Sequence, residues 1–83
     1  EQRRSRRATV LAIGARFDTL TEREREVLDP IVAGKLNKQV GASLGVSEQT
    51  VKVHRHNIMR KMAASSLPDL VRMIELLRAD AGP

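Results

Sequence analysis

The clearest structural signals of this sequence lie in NKQVGASLGVSEQTVKVHRHNIMRKM, residues 37–62. Its first part predicts a short helix that has Asn37 as N-cap and places two apolar residues, Val40 and Leu44, four positions apart on one face. The glycine that follows suits the left-handed conformation in which many helices end. Ser47 then suits the N-cap of a second helix, which runs to the end of the stretch. Two helices joined by a short turn that contains glycine form a helix-turn-helix motif.

The second helix, residues 48–62, has two faces of different chemistry on a helical wheel. Val51, Ile58 and Met62 fall on one side and predict a buried stripe. The opposite side mixes cations, an amide, an imidazole and a valine, and consists of Gln49, Lys52, Val53, His56 and Arg60. In a DNA major groove, lysine can reach guanine, glutamine can pair with adenine, and an apolar group can contact the thymine methyl. The pattern favours a helix that reads duplex DNA, with an ordinary solvated face as the alternative.

Two residues of this helix lie off the outward stripe. His54 falls at the boundary of the core, which predicts a structural residue hydrogen-bonded to backbone or to the helix that opens at Thr21, before this motif. Arg55 falls near the core face, which predicts that it extends to solvent or pairs with an acid of the helix that opens at Thr21. Because the chain has two histidines and no cysteine, neither a metal site nor a cofactor is expected.

The first helix of the domain is predicted to start at a capping box. The Thr21 hydroxyl and the Glu24 carboxylate can each accept a hydrogen bond from a backbone N–H at the other residue. The apolar residues that follow have helical spacing. Pro30 lies inside this pattern and predicts a kink or local rearrangement, and Gly34 predicts the end of the helix.

The last helix is predicted to begin at Ser66 and to end near Ala79, with Asp69 completing a second capping box. One stripe faces the domain core and consists of Leu67, Leu70, Ile74 and Leu77. Three further apolar residues flank this stripe, namely Val71, Met73 and Leu76. They predict either a dimer interface or a helix that its own domain buries broadly.

The elements together predict an all-α, four-helix domain over residues 18–81, since no segment has a strand pattern. Residues 1–17 combine an arginine-rich start with an apolar run and predict an interdomain linker or a linker helix. The sequence does not begin with Met, and a fragment of a longer protein is expected.

Charge and composition narrow the function. The net charge is +5, and residues 34–63 hold six lysines and arginines against one glutamate, which suggests a polyanionic partner. Phe17 is the one aromatic residue, so stacking on unpaired bases is effectively excluded. An enzyme is not expected, because the serines lack a positioned base. No apolar stretch is long enough to span a membrane, and a cytoplasmic location is expected. A membrane-surface or protein-interaction module, built on the start of the chain, is the alternative from another class.

Several strings of this sequence resemble one known family. They are LTEREREVL (20–28), NKQV (37–40), LGVSEQTVKVH (44–54), NIMRKM (57–62) and DLVRM (69–73). Together they resemble the LuxR/FixJ-type helix-turn-helix domain, and the tail is most similar to the FixJ branch of response regulators. The opening string also suits the fourth region of a sigma factor, but the tail favours the regulator. Gly41 departs from the alanine usual in the family, at an expected cost of about 1 kcal/mol in helix stability.

The resemblance implies the effector domain of a bacterial transcription regulator, which follows a phosphorylatable receiver domain and binds double-stranded DNA as a homodimer. The last helix would form the dimer interface, and a contact with RNA polymerase is compatible with this class. By matched position, Lys52, Val53 and His56 are implied to read bases. The residues expected to contact the DNA backbone are Asn37, Lys38, Ser47, Gln49, Thr50, Asn57, Arg60 and Lys61. His56 replaces a lysine often found in the family, so its target base is the least transferable.

Overall fold

The structure is a computed structural model that describes the backbone of residues 2–81 and the side chains of residues 5–81. Glu1, Gly82 and Pro83, which fall in the predicted linker and beyond the last predicted helix, lie outside the described residues. The fold is all-helical over the described part, as predicted. Its five helices are α1 (Gln2–Phe17), α2 (Glu22–Val32), α3 (Asn37–Leu44), α4 (Glu48–Met62) and α5 (Leu67–Ala81).

The segment predicted as a linker or linker helix is helix α1. It packs against α5 and α4, and it buries Val10 and Ile13, which are 6% and 2% exposed. Phe17 continues the same face at the edge of the core. A run this short has little stability as an isolated helix, so the packing of this face accounts for its helical structure. The helix is therefore an integral part of the packed structure rather than a free connection.

Helix α2 begins with the predicted capping box. The Thr21 hydroxyl accepts a hydrogen bond from Glu24 N–H at 3.1 Å, and Glu24 Oε1 accepts one from Thr21 N–H at 2.9 Å. Pro30 lies inside the helix, which continues to Val32. A proline this close to the end removes one hydrogen bond of the final turn, so it does not stop the helix. Gly34 has a φ of +89° and ends the element as predicted.

The helix-turn-helix consists of α3 and α4 and has the predicted extent. The turn has Gly45 in the left-handed conformation, with a φ of +71°, and Ser47 Oγ accepts a hydrogen bond from Thr50 N–H at 3.0 Å. The prediction that Asn37 is the N-cap of α3 was wrong by one residue. Leu36 is the N-cap and its N–H donates to Gln39 Oε1 at 2.8 Å, so the Asn37 side chain does not cap the helix.

Gly41 has a structural role that the sequence did not indicate. A Cβ atom at this position would lie 2.7 Å from the carbonyl oxygen of Val46, which is a backbone atom of the turn. The same turn is held by a 3.0 Å hydrogen bond from Val46 N–H to the carbonyl of Gly41. The absence of a side chain at Gly41 therefore lets the turn approach α3 closely.

Helix α5 differs from its prediction in two details. Ser66 Oγ accepts from Asp69 N–H at 3.2 Å as predicted, but the Asp69 carboxylate accepts from Ser65 N–H at 2.9 Å rather than from Ser66. The helix also continues to Ala81, beyond the predicted end at Ala79.

Two of the residues predicted to form the core stripe of α5, Leu70 and Ile74, are buried. Met73 is also buried, at 4% exposure, because its position on the helix faces the packed interior. It therefore cannot contribute to a dimer interface as predicted. Val71 and Leu76, the other two predicted interface residues, are half-buried, and their role stays a prediction.

Candidate nucleic-acid interface

The outward stripe of α4 is exposed along its whole length. Opposite it, Val51, Ile58 and Met62 have no exposed surface, and α4 packs on this side against α2 and α3. All five stripe residues are exposed, namely Gln49, Lys52, Val53, His56 and Arg60. The burial of one stripe fixes which face is presented to solvent, so the wheel prediction of the two faces is confirmed.

Val53 is the residue that a merely solvated face explains least well. It is 50% exposed and is one of the few large apolar residues on the surface of the described chain. It lies beside Lys52 and one helical turn from His56, among polar groups. An apolar group in such a setting can contact the methyl group of a thymine in the major groove.

Lys52 has an acidic neighbour that does not immobilise it. Its ammonium lies 3.8 Å from Glu48 Oε2, and both side chains are about half exposed, at 54% and 50%. Exposed pairs of this kind contribute between nothing and about 1 kcal/mol. Lys52 can therefore leave Glu48 for a guanine acceptor at little cost.

Two hydroxyl groups lie at the N-terminal end of α4. Ser47 and Thr50 contact each other through their oxygens at 2.9 Å, and Ser47 also caps the helix. Ser47 is exposed and Thr50 is half-buried. Both border the exposed stripe, where a hydroxyl can donate to a phosphate.

The first turn of α3 adds polar side chains that are linked to α4. Lys38 is exposed, and Asn37 is half-buried. Arg55 Nη1 donates to Asn37 Oδ1 at 3.3 Å. Arg55 thus contacts an amide of α3 instead of an acid of α2, so the predicted pairing with an acid was wrong. The reason is that Arg55 lies on the side of α4 that faces the start of α3.

Two more residues of α4, His54 and Asn57, have roles predicted from the sequence, the first structural and the second in contact with the DNA backbone. His54 is half-buried as predicted, but no hydrogen bond of its ring is found among the described residues. Asn57, a predicted backbone contact, is half-buried at the side of the helix. A phosphate contact by Asn57 stays a prediction.

Lys61 differs from the other cations of the interface because it is already paired. Its ammonium lies 2.7 Å from Glu24 Oε1, and the two side chains are 23% and 5% exposed. Burial raises the pKa of Glu24, but the hydrogen bonds from Lys61 and Thr21 and the charge of Lys61 outweigh it, so that the pKa is lowered from its ordinary value. The geometry supports a structural link between α2 and α4, and a phosphate contact by Lys61 stays a prediction.

Two side-chain pairs that hold this surface in place were not predicted from the sequence. Glu24 was assigned only to the capping box, and Arg55 was given the wrong partner. The residues of the two pairs are separated by 37 and 18 positions in the chain. No periodicity links residues so far apart, and the one available signal was the position of Arg55 near the core face of the wheel.

A cleft of about 490 Å³ lies elsewhere on the molecule, between α1, α2 and α5. Apolar side chains line its floor, including Phe17, Leu28 and Leu77. Two exposed charges, Arg78 and Asp29, meet at its edge at 2.6 Å. None of its described lining residues belongs to α3 or α4, so the cleft is separate from the exposed stripe.

None of the described helices combines the length and the apolar character that crossing a membrane requires.

The helix-turn-helix, the exposed stripe and the basic character of α3 and α4 define a DNA-binding domain of the kind that regulates transcription. The chain belongs to the luxR family of bacterial regulatory proteins, whose family model matches residues 18–74. Its relatives are response regulators.

Among them is the response regulator protein TodT of Pseudomonas putida, which is 49% identical over 77 residues, or 93% of this chain and 34% of TodT. The transcriptional regulatory protein FixJ of Rhizobium meliloti is 57% identical over 61 residues, which cover 74% of this chain and 30% of FixJ. The structure of the response regulator StyR superimposes with a TM-score of 0.83 at 46% identity, over 89% of this chain and 37% of StyR. The chain thus spans about a third of the length of the relatives it matches.

Proposed function

We propose that this chain binds duplex DNA sequence-specifically, with α4 inserted into the major groove. The observation that carries the proposal is the exposed stripe of α4, which presents cations, an amide, an imidazole and a valine opposite a fully buried stripe. In this arrangement Lys52, Val53 and His56 contact bases. The residues proposed to contact the DNA backbone are Asn37, Lys38, Ser47, Gln49, Thr50, Asn57 and Arg60. Lys61 is proposed to act mainly in stabilising the fold, because its ammonium is already paired with Glu24.

The chain is further proposed to act as the effector domain of a phosphorylation-controlled response regulator. The support is its similarity to TodT, FixJ and StyR, each of which is about three times as long as the matched region. A receiver domain upstream of residue 1 and regulation of transcription through RNA polymerase belong to this proposal. The family match favours it over a sigma-factor module and over a membrane-surface module.

Binding as a homodimer is proposed through α5, with Val71 and Leu76 as the remaining interface candidates. Both are half-buried and lie beside the buried Leu70 and Met73. Two copies would place two α4 helices on successive major grooves about one helical turn apart. The proposal predicts a target with two half-sites.

The test is selection of binding sites from a random duplex library, followed by fluorescence anisotropy with the selected and a scrambled duplex. The selected duplex is expected to bind at least about 100-fold more tightly, since specific sites are generally preferred by several orders of magnitude. Lys52→Ala should lose about 1–3 kcal/mol of specific binding.

Arg23→Ala is the matched control, because Arg23 is an exposed cation on α2 that pairs with Glu26 outside the proposed interface. Selection that enriches no sequence, or equal losses for Lys52→Ala and Arg23→Ala, would rule out the assigned reading face.

A further inference from the structure

A side-chain hydrogen bond ties the start of α3 to the middle of α4. Arg55 Nη1 lies 3.3 Å from Asn37 Oδ1, and both residues are half-buried. Asn37 is the first residue of α3, and Leu36 takes the N-cap position with its N–H bonded to Gln39. The Asn37 amide is therefore not used to cap its own helix, and Arg55 is its partner.

The chemistry of the two groups fixes the orientation of the amide. A guanidinium group can only donate hydrogen bonds, whereas an asparagine amide has an accepting oxygen and a donating NH₂ group. Arg55 must therefore take the oxygen of Asn37, which leaves the NH₂ group at the opposite edge of the planar amide. Without Arg55, both orientations of the amide would be open, and only one of them offers donors outward.

From this geometry we propose that Arg55 is a positioning residue of the DNA-binding surface. It holds Asn37 with its two N–H donors directed toward a phosphate oxygen of the duplex, and it does not contact the DNA itself. The proposal rests on the proposed function, because it assigns a phosphate to Asn37. This role differs from that of Lys52 and Arg60, which are exposed on α4 and can reach the duplex directly.

Salt dependence distinguishes a positioning arginine from one that contacts phosphate. Each cation that neutralises a phosphate releases counterions and steepens the dependence of affinity on salt concentration by about 0.9 in logarithmic slope. The neutral Asn37 amide adds nothing to this slope. A residue that only orients Asn37 should therefore change the affinity and leave the slope as it is.

The experiment compares Arg55→Met, Asn37→Ala and the double variant with the parent chain. Each is titrated into selected and scrambled duplexes at several salt concentrations. Each single variant should bind both duplexes about 3- to 10-fold more weakly, as expected for the loss of one hydrogen bond. The double variant should be no weaker than the weaker single variant, and the salt slope of Arg55→Met should equal that of the parent.

Two further variants control for the fold and for charge. Arg55→Lys should retain most of the affinity, because an ammonium can still donate to the Asn37 oxygen. If Arg55→Met proves less stable in urea, Arg55→Lys still tests whether the hydrogen bond to Asn37 supports binding. Arg60→Gln should lower the salt slope by about 0.9, as a cation in direct contact with phosphate does.

Three results overturn the assignment while leaving DNA binding intact. They are a salt slope for Arg55→Met reduced like that of Arg60→Gln, additive losses in the double variant, and an Arg55→Lys variant as weak as Arg55→Met. A parent chain that binds neither duplex overturns the proposed function, and this inference with it.

Discussion

The pair of Glu24 and Lys61 gives the sharpest prediction about stability. The Glu24 carboxylate is buried and accepts hydrogen bonds from Lys61 Nζ at 2.7 Å and from Thr21 N–H at 2.9 Å. In the variant Lys61→Met, the carboxylate keeps the Thr21 hydrogen bond but loses the only cation paired with it among the described side chains. A buried charge without its partner is strongly destabilising.

The size of the effect follows from the exposure of the two groups. Removing one partner of a fully buried pair costs about 3–5 kcal/mol. Lys61 retains 23% side-chain exposure and Thr21 still donates to the carboxylate, so the expected loss is smaller, about 2–4 kcal/mol. The total stability of a domain of this length is about 4–12 kcal/mol, so the loss should be visible as a large shift in the unfolding midpoint.

The assay is urea unfolding at pH 7, followed by far-UV circular dichroism. Lys52→Met is the matched control, because its pair with Glu48 is exposed and should be worth less than about 1 kcal/mol. Glu24→Gln in the Lys61→Met background should recover part of the loss, since glutamine can still accept from Thr21 without a buried charge. Equal stability of Lys61→Met and Lys52→Met, or no recovery in the double variant, would refute the structural role of Lys61.

Two further predictions concern a side chain at position 41 and the dependence of stability on pH. Gly41→Ala gains about 1 kcal/mol in helix propensity but places a Cβ 2.7 Å from a backbone oxygen, at a cost of about 1–3 kcal/mol, so urea unfolding should show no gain and up to about 2 kcal/mol of loss. In Gly14→Ala, where the Cβ meets only a flexible Leu77 methyl at 3.7 Å, stability should rise; a rise at Gly41 equal to that at Gly14 would contradict the close approach. Because the pKa of Glu24 is lower in the folded chain than its ordinary 4.5, its contribution is present above that value and lost as the pH falls below it. Urea unfolding between pH 7 and pH 3 should show a smaller loss for Glu24→Gln than for the parent, and equal losses would contradict this assignment.

The helix-turn-helix could be predicted because its signals are local. The wheel of residues 48–62 separates Val51 from Lys52 by periodicity alone, and Ser47 and the glycine at the turn mark the ends of the helices. The same reasoning placed Met73 beside the core stripe of α5, although it is buried. A wheel gives the direction of a side chain but not how much surface the neighbouring helices cover.

The parts that could not be predicted depend on residues far apart in the chain. Gly41 looked like an unfavourable substitution in a helix until the position of the Val46 carbonyl was known. The pairing of Lys61 with Glu24 could not be predicted, because Glu24 lies in another helix, 37 positions away in the chain. Residues 1–17 contain the apolar face of α1, but nothing in that segment indicates that α4 and α5 cover it.

The proposed function rests on the claim that α4 reads base pairs through its exposed stripe. The most direct measurement is the affinity of the parent chain and of Lys52→Ala for the selected duplex and for duplexes with a single substituted base pair at each position in turn. We predict that Lys52→Ala loses discrimination by about 10-fold or more at one base-pair position, repeated in each half-site, and keeps it elsewhere. An unchanged pattern of discrimination at every position would contradict the claim.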